Sequence, residues 1–341
     1  MRHVLVTGGA GFIGSNFVHR LLTRYPDYDV TVIDKLTYAG NVENLADHQD
    51  NPRLRFVQGD ICDTADVERA SHGCDAIVNF AAESHVDRSL LDPGSFVHTN
   101  VYGTFVLLEA ARKAGVERFV QVSTDEVYGD VSPGTSSRES DRLNPRSPYS
   151  ASKAGGEMQC LGFFHSHGLP VSITRASNNL GPFQYPEKLV PLLVTNALLG
   201  LPLPVYGDGR QVRDWLHVQD HCAAIDLVLH RGAPGEAYNV GMGYEHPNID
   251  VVHLLIEELG VPERLICHVT DRKGHDRRYS VDSEKIKSLG WTPDYQFEQS
   301  IRETATWYAT HRDWWETIRS RPDFQRYYEL NYGTRLPSTT L

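Results

Sequence analysis

Tyr149 and Lys153 stand four residues apart, one helical turn, so an ammonium can lie beside a phenol on a single helix face. The charge on Lys153, joined by that of an oxidised nicotinamide, favours phenolate and suits Tyr149 to act as a base near neutral pH. Upstream, Ser123-Thr124-Asp125-Glu126 places a hydroxyl and two consecutive carboxyls ahead of Val127-Tyr128-Gly129. Thr124 can hydrogen-bond the same hydroxyl that Tyr149 deprotonates. Two carboxyls held close together separate in protonation, which supplies an acid and a base at one pH. A plain hydride-transfer enzyme has no evident use for both. Oxidation of one carbon, loss of a proton from the next and expulsion of water from a third would use the whole set. Neighbours in an extended strand point to opposite faces, so both carboxyls reach one ligand only if the strand ends by Asp125.

These groups need a scaffold, and the first half of the chain supplies a βαβ rhythm. Short β-branched runs at 4–6, 30–33, 54–57, 76–80 and 119–123 read as buried parallel strands. Segments 95–114 and 148–165 read as long helices, the second capped by Ser147 with Pro148 in its first turn. The expected fold class is α/β: a doubly wound parallel Rossmann sheet with a smaller C-terminal substrate-binding α/β lobe. Residues 1–175 are expected to form the NAD-binding domain, 176–330 mainly the second lobe, and 331–341 a tail. Tyr238-Asn239-Val240 resembles a further strand of the first sheet, so a stretch of about 210–242 is expected to return to it.

Gly8, Gly11 and Gly14 form GxxGxxG between the first strand and a helix beginning near Phe12 and Ile13. There the backbone must approach a pyrophosphate at a helix N-terminus. Asp34 closes the second strand, and a carboxylate at that point accepts hydrogen bonds from an adenosine ribose and repels a 2′-phosphate, which favours NAD over NADP. Lys35 beside it weakens that preference. Asp60-Ile61 is expected near the adenine, and Ala81-Ala82 would let the cofactor pass closely.

The formal net charge of −11 disfavours nonspecific binding to nucleic acid or acidic membranes, so any phosphate site must be a local cluster. Lys188 and Arg213 could provide one, Arg213 through a bidentate contact. Arg272, Lys273, Arg277 and Arg278 make the densest basic run, open to reading as a solvated loop. Five scattered cysteines without a CxxC pair suit a reduced cytoplasmic setting, and no stretch is apolar for the length of a membrane span. His217 and His221 are four apart with no third ligand in evidence, so no metal site is expected. His85 could lie near the substrate or make a structural hydrogen bond. The segment from about Arg321 is polar and aromatic, and its pattern assigns it no chemistry.

The chain resembles the extended short-chain dehydrogenase/reductases, and within them the dTDP-glucose 4,6-dehydratase family. The resemblance is carried by TGGAGFIG at 7–14, DKLTYAGN at 34–41, AAESHVDRS at 81–89, STDEVYG at 123–129, YSASK at 149–153, PEKLVP at 186–191, RDW at 213–215 and DRKGHDRRY at 271–279. The DE pair discriminates most, since related epimerases usually carry small residues there. The resemblance implies that Asp125 is the acid for the leaving 6-hydroxyl and Glu126 the base at C5. Thr124, Tyr149 and Lys153 would handle oxidation at C4. It adds Leu36, Thr37, Ser84, Thr99 and Asn179 to the cofactor site. For the substrate it implies Ser84, Asn178, Lys188, Leu189, Pro204, Tyr206, Arg213, Asn248, Asp271 and His275. It also implies dTDP-glucose as substrate, with UDP-glucose possible, and a homodimer joined through a four-helix bundle by the two long helices. Leu180 departs from the pattern, where a Tyr commonly stands, which bears on local packing or substrate fit. A 4-epimerase or decarboxylase on the same scaffold stays open, as does a dinucleotide-binding scaffold without turnover.

Overall fold

The computed structural model describes residues 1–272, 274–333 and 335–336. Lys273 of the basic run and residues 334 and 337–341 of the tail lie outside them.

The first half alternates strand and helix: β1 (His3–Thr7), α1 (Phe12–Arg24), β2 (Asp29–Asp34), β3 (Leu54–Gln58), α2 (Thr64–Ser71), β4 (Ala76–Asn79), α3 (Val86–Leu91), α4 (Pro93–Val97), α5 (Thr104–Ala114), β5 (Arg118–Thr124), α6 (Pro148–His167) and β6 (Val171–Ala176). The second half runs β7 (Asn178–Leu180), α7 (Leu189–Leu198), β8 (Leu203–Tyr206), β9 (Val212–His217), α8 (Val218–Arg231), β10 (Ala237–Val240), β11 (Glu245–Pro247), α9 (Asn248–Leu259), β12 (Ile266–Val269), α10 (Glu284–Ser288), α11 (Phe297–Thr310), α12 (Arg312–Arg319) and α13 (Pro322–Tyr332).

Seven strands form one sheet in the order β10-β6-β5-β4-β1-β2-β3, every neighbouring pair parallel. Val4, Val6, Ile77, Val78, Phe119 and Ile173 are fully buried between helices on both faces, which is why these strands read as continuous apolar runs. In such sheets ligands meet the carboxyl ends of the strands, here the ends of β1, β2, β4 and β5. A smaller region holds a three-stranded sheet β11-β9-β7 and a parallel pair β12-β8, packed around Leu180, Val194, Trp215 and Trp315.

Two readings change. Segment 95–114 is not one regular helix: α4 begins at Pro93 behind an Asp92 cap, and a π-type turn over His98–Gly103 separates it from α5. Asn100 in that turn bonds the backbone of Glu83 in both directions and donates to Ser152 at 2.8 Å, so long-range contacts favour the wider turn. Chain return to the first sheet, expected over about 210–242, begins only with α8, because β9 pairs in the smaller sheet, and it extends past β10. Ile286 and Trp291 pack into the core beneath the sheet, and the Trp291 indole donates to the Asp220 carbonyl at 3.1 Å.

Candidate active site

β5 ends at Thr124, and Asp125–Tyr128 turn at once into a short 3-10 helix. The Thr124 hydroxyl caps this turn by accepting the Glu126 N–H at 3.3 Å. Gly129 leaves it at φ 77°, where a Cβ would collide with the Asn144 carbonyl. The strand therefore stops where the chemistry requires, and Asp125 and Glu126 line the same cavity as Tyr149 and Lys153.

Behind that turn lies a buried ionic network. Glu157 is one further helical turn along α6 from Lys153 and accepts a forked contact from Arg175 on β6, at 3.0 Å from Nε and 2.7 Å from Nη2. Arg175 also donates to the Tyr128 hydroxyl at 2.6 Å, which donates onward to Asn239 at 2.8 Å on β10. Ser123 donates to Glu157 as well. The acidic turn, the helix of the reacting pair and the adjacent strands β5, β6 and β10 are thus joined by one hydrogen-bonded network with the Arg175–Glu157 pair at its middle.

Burial, reinforced by the charge of Glu126, pushes the Asp125 carboxyl up to about 8, although Arg213 pulls it down. One Asp125 oxygen has no hydrogen-bond partner among the described residues. Glu126 is also raised by burial, but Arg272, Arg213 and Lys188 counter it. Asp125 is therefore the group that holds a proton at neutral pH, and Glu126 is the one facing cations.

Lys153 lines the cavity with Tyr149. Its ammonium donates to the Val122 carbonyl at 2.7 Å, and burial lowers it to about 8. Tyr149 is driven well up, first by burial and then by Glu126, with relief from the Thr124 hydroxyl. Burial and the two carboxyls outweigh the help Tyr149 receives within the protein. A further positive charge in the cavity is required.

The same cavity runs back to Gly8, Gly11, Phe12, Ile13 and Gly14 and past Asp34, Lys35, Thr37, Asp60, Ile61, Ala81, Ala82, Ser84 and Thr99. Gly8 has φ 66°, and a Cβ there would stand 2.7 Å from the Ala81 nitrogen. Gly11 caps α1 without a side chain, so the helix presents its first N–H groups uncovered, as an anion site requires. Asp34 accepts from the Ala10 and Leu36 N–H groups at 3.0 and 2.8 Å. The Lys35 ammonium sits 2.7 Å from Asp60, which removes the competing attraction for a 2′-phosphate. Leu36 stands off the cavity wall. It turns the chain at φ 57° so that its N–H meets Asp34.

Toward the second lobe the cavity is walled by Asn178, Asn179, Lys188, Leu189, Pro204, Tyr206, Arg213, Asn248, Arg272 and His275. Asn178, Asn248 and Arg272 each keep a buried polar atom without a partner among the described residues. Asp271 is not on the wall: it receives Gln211 at 2.7 Å and holds His275 at 2.6 Å. Arg213 is part of this wall and is held by the backbone. Its two terminal nitrogens donate to the Val212 and Asp276 carbonyls, and its guanidinium lies 4.2 Å from the Tyr279 ring centre. His217 caps α8 and stacks on Tyr295, while His221 bonds Asn179 at 2.9 Å, so the two histidines serve different neighbours. His85, at φ 94°, lines the cavity and meets the Tyr327 hydroxyl at 2.9 Å. Asp87, Glu187, Tyr279 and Tyr332 were not assigned roles from sequence, although the first three lie inside recognised motifs.

A family model described as GDP-mannose 4,6 dehydratase matches residues 5–304. A dTDP-glucose 4,6-dehydratase of an Actinoplanes species is 51% identical over 92% of this chain and 99% of its own length. Another, from Streptomyces griseus, is 52% identical over 93% and 97%. The chain belongs to the dTDP-glucose 4,6-dehydratase family. The solved structure of the family member DesIV from Streptomyces venezuelae, with NAD and TYD bound, matches with a TM-score of 0.90 and 52% identity, covering 93% of this chain and 99% of that one. A UDP-glucose 4-epimerase from Thermus thermophilus, in complex with NAD, matches at 0.84 with 34% identity over 91% and 99%. The scaffold is thus shared with epimerases.

Proposed function

We propose that this chain dehydrates dTDP-glucose to dTDP-4-keto-6-deoxyglucose, a hydro-lyase of deoxysugar biosynthesis that uses NAD catalytically. One observation carries the reading beyond the shared scaffold: Asp125 and Glu126 turn into the cavity of Tyr149, with Asp125 held protonated to about pH 8.

The glycine loop and the bare α1 N-terminus fit a pyrophosphate, and Asp34 fits a ribose, with Asp60, Ile61, Ala81 and Ala82 further along the same wall. When bound there, NAD supplies a hydride acceptor for C4 of the sugar, a hydride donor for C6 and the positive charge that Tyr149 lacks. Tyr149 takes the C4 hydroxyl proton, and Thr124 orients that hydroxyl. Lys153, anchored on Val122, holds the phenol's electrostatic surroundings fixed. The C4 ketone acidifies C5–H, Glu126 removes that proton, and Asp125 gives its own to O6 as water leaves. Glu126 later returns a proton to C5, and because the hydride taken from C4 would be given back at C6, the cycle has no net redox change. Lys188 and Arg272 attract the diphosphate, and Tyr206 offers a face to the base.

The reading extends to assembly and location. The Tyr102 and Phe105 side chains and Met158 are large apolar groups left exposed on the π-type turn, α5 and α6, with Val97 on α4 beside them. That face suits a homodimer packed as a four-helix bundle. All five cysteines are free, and no helix among the described residues is long and apolar enough to cross a membrane, which agrees with a cytoplasmic enzyme.

The test is incubation of purified protein with dTDP-glucose and with UDP-glucose, without added NAD. The expected product from dTDP-glucose is a keto sugar, recognised by its ultraviolet absorbance in alkali. Formation of an epimer alone would overturn the assignment. In parallel, Glu126→Gln should reduce bound NAD with substrate yet release little product.

A further inference from the structure

The family match ends at residue 304, and α13 lies wholly beyond it. Pro322 opens this helix, and its inward side buries Phe324, Tyr327, Asn331 and Tyr332. It is fastened to the first half of the chain as well as to the second. The Tyr327 hydroxyl meets His85, and the Arg88 guanidinium lies between the Tyr38 and Tyr327 rings, 3.7 and 4.4 Å from their centres. Glu187 holds Arg88 from the side at 2.7 Å. This clamp fixes where the last turn of α13 falls.

That turn delivers Tyr332 to the cavity wall. Its ring faces Tyr206 with planes 27° apart and centres 6.4 Å apart. Carbon atoms in contact sit about 3.5 Å apart, so two rings with a planar group between them need roughly 7 Å. The centre separation falls short of that spacing, so the pair must open by about an ångström to admit one flat ring. Tyr206 is fixed by donation to Asp87 at 3.1 Å, and Pro204, Asn248 and His275 line the same end of the cavity.

We propose that Tyr332 is a base-binding residue, which with Tyr206 forms the two faces of a slot for the pyrimidine of the nucleotide sugar. The inference rests on the nucleotide-sugar reading of the cavity. It makes α13 part of the substrate site. Loss of one stacking face weakens base binding by about tenfold, and the loss shows in Kd and KM because the slot is remote from the reacting carboxyls.

Calorimetric titration of the full-length holoenzyme with dTDP, UDP and inorganic pyrophosphate tests it. Tyr332→Ala should weaken dTDP and UDP by about tenfold while leaving pyrophosphate as in wild type, and Tyr332→Phe should retain dTDP within about twofold. Tyr332→Leu keeps apolar volume at the position but removes the aromatic face, and it should behave as the alanine variant does, which covers a failure of the latter to fold. Folded Ala or Leu variants that bind dTDP like wild type would overturn the proposal alone. Wild-type protein that binds neither nucleotide would overturn the nucleotide-sugar reading itself.

Discussion

Replacing Asp125 with Asn should abolish dehydration and stabilise the fold, by an amount that grows with pH. The carboxyl is 3% exposed and rises from its ordinary 3.8 to about 8. Each pH unit of such a rise is worth about 1.4 kcal/mol, so the whole amounts to about 6 kcal/mol. The sign follows from linkage. Below pH 4 the side chain is protonated in both folded and unfolded chains, and it adds no pH dependence. Between pH 4 and 8 only the unfolded chain gives up the proton, so the wild-type fold loses stability as pH rises. Asn resembles the protonated acid in shape and has no proton to lose, so that loss disappears. The variant should gain about 4 kcal/mol over wild type at pH 7, relative to their difference at pH 4, and the gap should stop widening above pH 8. Denaturant unfolding from pH 4 to 9 measures it, with both proteins in the same cofactor state because bound NAD stabilises the native form. Parallel stability curves for the two proteins across that range would refute the reasoning.

Tyr149→Phe should lower turnover by about 10²- to 10⁴-fold and prevent formation of enzyme-bound reduced nicotinamide, read by absorbance after mixing with substrate. Leu180→Tyr should destabilise by about 1–3 kcal/mol, seen as a lower Tm, because Leu180 is fully buried among Val190, Val194 and Trp215. Tyr102→Glu combined with Phe105→Glu should shift sedimentation from dimer to monomer, since both rings lie on the exposed apolar face.

The local signals proved legible where one residue decides a local geometry. Ser147 and Pro148 open α6 with the expected cap, joined by Ser150 in a capping box, and Gly129 ends the acidic turn. The parallel sheet could be read from its buried β-branched runs, and even β10 announced itself through Tyr238-Asn239-Val240. What could not be read depends on partners distant in the chain. The π-type turn reflects Asn100 reaching Glu83 and Ser152. Arg213 turned toward backbone carbonyls because β9 lies against the segment at 276–277, a pairing no motif records. The anchor of Lys153 was hidden for the same reason, since the Val122 carbonyl comes from another element. Leu180, which departs from the family pattern, sits in the second core, where its substitution concerns packing. In α13 the aromatic residues carry no recognisable spacing, and only their arrival beside Tyr38, His85 and Tyr206 gives them meaning.

The network of Glu157, Arg175, Tyr128 and Asn239 has a consequence for how the enzyme fails. Its members belong to α6, β6, the edge strand β10 and the acidic turn, so the network ties that side of the seven-stranded sheet to the reacting carboxyls. Local opening draws on elements with few buried contacts, and these have many. The reacting carboxyls should therefore not fray ahead of the rest of the molecule. Heat or denaturant should remove activity together with the sheet, so the inactivation midpoint and the global unfolding midpoint should coincide, and amide protons of β5 and β6 should exchange only through complete unfolding.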